Sequence, residues 1–135
     1  MPALTLRPAE LSGYAGQEFR VDLVADNVRD VYEATGMLAY DHTVLEFRKA
    51  EKGEFFQEDG RPASLTIEAN PGAGRLQFSF GRRAKPVSGT GVLASLVFRA
   101  KQPGVSKVEI MSARILGAED EQVAFSKGPG LIRVR

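Results

Sequence analysis

Apolar residues recur at every second position through most of this chain, and a period of two predicts strands rather than helices. Between Glu18 and Asp26, Phe19, Val21, Leu23 and Ala25 point one way and Arg20, Asp22 and Asp26 the other. Between Ala34 and Tyr40, the residues Ala34, Gly36, Leu38 and Tyr40 share a face, with Thr35, Met37 and Ala39 opposite. That second face is small and mildly apolar, suited neither to a core nor to full exposure. A tight turn at Asp41-His42-Thr43 leads into a strand carrying Leu45 and Phe47.

The rest of the chain follows the same rule. Ser64 to Ala69 and Arg75 to Phe80 alternate on either side of Asn70-Pro71-Gly72-Ala73-Gly74, a run rich in turn residues, and so read as a hairpin. Val92 to Lys101 turns Val92, Ala94, Leu96, Phe98 and Ala100 inward. Val105 to Leu116 sets Val108 and Ile110 against Lys107, Glu109 and Met111. Ala3 to Arg7, Gln122 to Ser126 and Leu131 to Arg135 supply shorter strands. Loops are expected around Gly13 and Gly16, over Asn27 to Glu33, through the charged run after Phe47, from Arg82 to Gly91, and at Glu119-Asp120-Glu121. One ring of Phe55 and Phe56 is expected to return to the core. About nine strands with closely spaced turn signals, and no sustained helical period, predict an all-β sandwich. Its expected core contains Leu23, Leu38, Leu45, Phe47, Phe78, Phe80, Leu96 and Phe98.

Composition narrows the function. The 135 residues suffice for one domain, residues 1–135, that removes roughly two-thirds of its unfolded surface from water. With 18 basic and 17 acidic residues the net charge is +1, which gives no reason to expect nucleic acid or an anionic membrane as partner. No apolar run approaches the length of a membrane span and no signal sequence opens the chain, which reads as a domain cut from a longer protein. There is no Cys, so neither disulfides nor a thiol nucleophile enter the picture.

Catalytic chemistry finds little to stand on. His42 is the only His, and its place in a tight turn reads as an exposed turn residue. Gly89-Thr90-Gly91-Val92-Leu93-Ala94 fits the spacing of a dinucleotide fingerprint, but that motif needs a helix after it and here a strand follows. The acidic groups Glu51/Glu54/Glu58/Asp59 and Glu119/Asp120/Glu121 lack the order of a calcium loop and read as solvated charge. Paired carboxylates for glycoside hydrolysis meet only in space, and nothing in this chain favours them. No metal or other cofactor is expected. With no Trp and three Tyr, of which Tyr40 points inward, an aromatic platform for sugars is mostly missing.

Several segments taken together resemble a cohesin module. They are Val21-Asp22-Leu23 with Ala25-Asp26-Asn27-Val28, Leu38-Ala39-Tyr40-Asp41, Val44-Leu45-Glu46-Phe47 and Gly53-Glu54-Phe55-Phe56. In order after them come Gly74-Arg75-Leu76 with Phe78-Ser79-Phe80, Ser88-Gly89-Thr90-Gly91-Val92-Leu93-Ala94, and Phe98-Arg99-Ala100-Lys101. The resemblance implies a nine-stranded jelly-roll sandwich, non-catalytic, that docks a dockerin-like or other protein partner. It also implies which face does so, the sheet formed by residues 105–116, 34–40, 75–81 and 64–69. On that face the partner-binding residues would be Thr35, Met37, Ala39, Thr66, Glu68, Gln77, Ser79, Glu109 and Met111. Arg82 and Arg83 would steer an acidic partner from the neighbouring loop. Met37 and Met111 would lie within side-chain reach of each other.

The chain departs from the family's pattern in two ways: His42 stands where Pro is common, and Thr35, Met37 and Ala39 replace the usual amide and carboxylate groups. The setting implied is extracellular or in the cell envelope, as a monomeric part of a longer exported protein. A carbohydrate-binding or wall-associated sandwich, or a terminal module of a secretin- or pilus-type protein, is the alternative reading.

Overall fold

A strand with one apolar face is stable only when that face meets another, and two such sheets pressed together make a sandwich. The computed structural model describes residues 3–55, 64–81, 87–117, 126–127 and 130–135. Its strands are β1 (Ala3–Arg7), β2 (Glu10–Gly13), β3 (Glu18–Val31), β4 (Glu33–Ala39), β5 (Leu45–Lys52) and β6 (Ser64–Asn70). They continue with β7 (Arg75–Gly81), β8 (Val87–Ala100), β9 (Gly104–Leu116), β10 (Ser126–Lys127) and β11 (Gly130–Val134). One sheet runs β10-β1-β3-β8-β5 and the other β2-β11-β9-β4-β7-β6, giving a sandwich of jelly-roll type. The strand not foreseen is β2, four residues lying parallel to β11 at the sheet edge.

Between the sheets lies one continuous core, in which Leu4, Leu23, Leu38, Leu45, Leu76, Leu96 and Phe98 are almost fully enclosed. Phe98 meets Tyr40 and Phe47 edge-on, at ring separations of 5.1 and 5.8 Å. Of the expected core residues only Phe47, two residues along the edge strand β5 from the buried Leu45, is half-buried. Phe55 is buried, while Phe56 lies outside the described residues. In β8 part of the outward side is covered too: Ser95 and Val97 are buried, while the bulge opposite Leu23 and Val24 turns Leu93 into the core.

Three expected loops are corrected. Residues 27–31 belong to β3, residues 87–91 to β8, and residues 48–52 to β5. The first two pair with each other through bulges, Val28 with Gly89 and Val31 with Val87. The polar residues that suggested loops are what makes the irregular pairing possible. Asn27 and Asp30 take left-handed backbone angles (φ 53° and 50°), a conformation their short polar side chains tolerate. Their amides then donate to side chains instead of to ladder carbonyls: Asn27 N to Thr90 Oγ1 at 3.0 Å and Asp30 N to Ser88 Oγ at 2.9 Å.

Candidate functional site

The outer face of β6, β7, β4 and β9 is laid out by strand register. One row across it reads Glu68, Gln77, Met37, Ser112, and the next reads Thr66, Ser79, Thr35, Arg114. A third row, Asn70, Arg75, Ala39, Glu109, borders them on the turn side. Between the first two rows the inward-pointing residues are Phe78, Gly36 and Ala113. Gly36 is obligatory there: a Cβ would lie 2.5 Å from the Ser112 carbonyl oxygen and 2.6 Å from the Phe78 ring. A shallow depression of about 530 Å³ follows these two rows.

The structure therefore brings together Thr35, Met37, Thr66, Glu68, Gln77 and Ser79 as lining of one depression. Ala39, Glu109 and Met111 lie on the same face outside it, with Glu109 3.9 Å from the Lys107 ammonium. Arg82 and Arg83 lie outside the described residues. So do Glu58, Asp59, Glu119, Asp120 and Glu121, and no cluster of three possible metal ligands occurs among the described residues.

Two lining residues, Ser112 and Arg114, were missed by strict alternation. Carried past Met111, a period of two would turn Arg114 inward and Ile115 outward. A bulge intervenes: Met37 pairs with Ser112 and Leu38 with Ile110, so Met111 is the additional residue. Met111 and Ser112 are both exposed, the phase shifts by one, and Ile115 is buried while Arg114 faces out. The signal was present, since an Arg in a core position beside an Ile in water marks a broken period.

The hydrogen-bonding side chains that line the depression are unspent. Among the described residues, no side-chain hydrogen bond or ion pair engages Thr35, Thr66, Glu68, Gln77, Ser79, Ser112 or Arg114. The outer face of the other sheet is the reverse. There Arg20 Nη2 donates to Ser95 Oγ at 2.9 Å, and Ser95 Oγ donates to Asp22 Oδ1 at 2.7 Å. Glu51 is flanked by Arg20 at 3.8 Å and Lys49 at 3.3 Å, and Arg48 reaches Glu46 at 2.9 Å. Each such surface pair is worth little by itself. Together they pair the charged groups of β3 and β5 with one another and with Ser95.

The turn below β4 is fixed by Asp41, whose Oδ1 accepts from Thr43 Oγ1 at 2.6 Å and Thr43 N at 2.9 Å. Asp41 N donates to Ser106 Oγ at 2.9 Å, tying the turn to β9. The Thr43 hydroxyl, then the Thr43 amide, hold the Asp41 carboxyl below the usual carboxylate range. His42 is an exposed turn residue, and its carbonyl accepts from the Lys101 ammonium at 2.9 Å.

No curated protein matches the chain by sequence. Solved structures do match its fold. A non-cellulosomal cohesin from the archaeon Archaeoglobus fulgidus superposes with a TM-score of 0.80 at 16% identity, covering 99% of this chain and 91% of that one. The third cohesin of ScaC from Acetivibrio cellulolyticus, solved in complex with the ScaB dockerin, gives 0.84 at 16% identity, with 99% of each chain covered. A cohesin–dockerin complex from Clostridium thermocellum, containing the OlpA cohesin, gives 0.84 at 12% identity, covering 100% and 99%. At these identities the likeness establishes the fold. Membership comes from the sequence: the family model for the cohesin domain matches residues 4–127, and the chain belongs to that family.

Proposed function

We propose that this chain is a non-catalytic docking module that captures a dockerin-type protein partner on the outer face of β6, β7, β4 and β9. The observation that carries this reading is the contrast between the two faces. One has the charged groups of β3 and β5 paired with one another. The other lines a depression with unengaged hydroxyl, amide and charged groups around Met37. A half-apolar centre ringed by available hydrogen-bonding groups is the composition of a protein interface, and a flexible thioether suits a surface that must fit a partner.

The structures in which similar cohesins are held with dockerins support the same assignment. The module would act outside the cell or at its surface, as part of a longer exported protein. A cellulosome is not required, since the Archaeoglobus relative is described as non-cellulosomal. The test is a binding measurement against a panel of dockerin domains with Met37→Asp and Ser79→Arg introduced separately. Both variants should fold normally and lose capture; capture that survives both changes would place the binding surface elsewhere.

A further inference from the structure

Two charges line the depression, and they sit on opposite sides of it. Glu68 is on β6 and Arg114 on β9, three strand spacings apart, which is about 14 Å across the sheet. Between them the lining is uncharged: Gln77, Met37, Ser79 and Thr35. Neither charge is compensated by an ion pair among the described residues. Their neighbours differ. Glu109 is matched by Lys107, and Arg75 donates to the carbonyls of Ala73 and Gly74 at 3.1 Å. Glu33, on β4 opposite Leu116 in the row beyond Arg114, makes no ion pair with it.

A face with a free carboxylate at one side and a free guanidinium at the other has a direction. We infer that Glu68 and Arg114 fix the polarity of docking: the partner places a cationic group over Glu68 and an anionic group over Arg114. In the orientation rotated by half a turn, like charges would meet at both sides, an arrangement that is strongly disfavoured once water is excluded. Exposed charges at the margin of an interface act chiefly on the rate of association, so the effect should fade with salt. This inference rests on the docking reading above and assigns two residues a role in partner choice.

The test uses a displayed library of dockerin modules, enriched separately on the unaltered protein and on the double variant Glu68→Lys/Arg114→Glu. Both side chains are exposed, so each variant should unfold like the parent. Clones enriched on the parent should associate about tenfold more slowly, at low salt, with Glu68→Lys or with Arg114→Glu. Clones enriched on the double variant should carry the opposite charges at the facing positions. Clones that need Met37 yet bind the charge variants at the parental rate would overturn the polarity assignment and leave the docking face standing. Clones indifferent to Met37→Asp, or the absence of any enriched clone, would overturn both.

Discussion

Met37 lies directly across the ladder from Ser112, and Met111 is displaced from that pairing by the bulge that adds it. Across the ladder the Met37 thioether therefore faces the Ser112 hydroxyl, with Met111 one residue away along β9. Ser112 borders the depression and Met111 does not. Ser112→Arg should accordingly block dockerin capture, while Met111→Arg should weaken it only a few-fold, through the margin of the face. Equal loss with both variants, measured by calorimetric titration, would contradict this layout.

The cluster at the middle of the core sets the scale of stability. Phe98 is fully enclosed and touches both Tyr40 and Phe47. Phe98→Ala should cost about 3–5 kcal/mol in urea unfolding, from lost transfer free energy and the cavity left behind. Phe78→Ala should cost a similar amount and also soften the floor of the depression beside Gly36.

Gly36 offers a smaller substitution with a local effect. Adding one methyl group there drives it against the Ser112 carbonyl and the Phe78 ring, and overpacking of this kind costs about 1–3 kcal/mol. Since Ser112 and Phe78 line the depression proposed for docking, Gly36→Ala should reduce partner affinity as well as the unfolding midpoint. A variant with a lower midpoint and unchanged affinity would separate the glycine from the site.

The irregular pairing of β3 with β8 depends on hydroxyl groups. Thr90 Oγ1 accepts from Asn27 N and donates to Asp26 Oδ1 at 2.8 Å. Thr90→Val should cost about 1–2 kcal/mol, for the two hydrogen bonds it removes. Hydrogen exchange should then accelerate at the Asn27 amide before it does at Leu23 or Val21.

Asp41 gives the turn a dependence on acid. Its carboxyl titrates below its unfolded value because Thr43 bonds to the ionised form. The folded state therefore gains stability from Asp41 at neutral pH, and loses it as pH falls from about 4 through the lowered value. Asp41→Asn should remove that part of the dependence, so the stability curves of parent and variant should converge as the solution is acidified. Curves that stay parallel down to pH 2 would show the turn to be indifferent to this charge.

Much of the fold could be read from the residues because alternation is a local signal. The β6–β7 hairpin and the inward side of β3 followed from it, while the grouping of four strands into the candidate face came from the family resemblance. What escaped has a common cause. Bulges at Leu23/Val24, Met37/Leu38 and Phe47/Lys49, and those involving Val28, break the period where two strands adjust to each other's twist. Whether a polar run such as Asp26-Asn27 or Ser88-Gly89-Thr90 is a loop or a bulged strand depends on what lies opposite it. No single stretch of sequence contains that information. Arg114 was lost to the site for this reason, while Glu68, on a regular strand, was found.

The parallel edge of β2 and β11 has a mechanical meaning. Glu10–Gly13 and Leu131–Val134 run in the same direction side by side. A pull applied to the chain before the first and after the second would slide the two strands past each other. Their backbone hydrogen bonds would carry that load together instead of opening in turn, as they would in a hairpin pulled from its two ends. Traction that has passed β1, which lies in the other sheet, would then meet its resistance at this parallel edge.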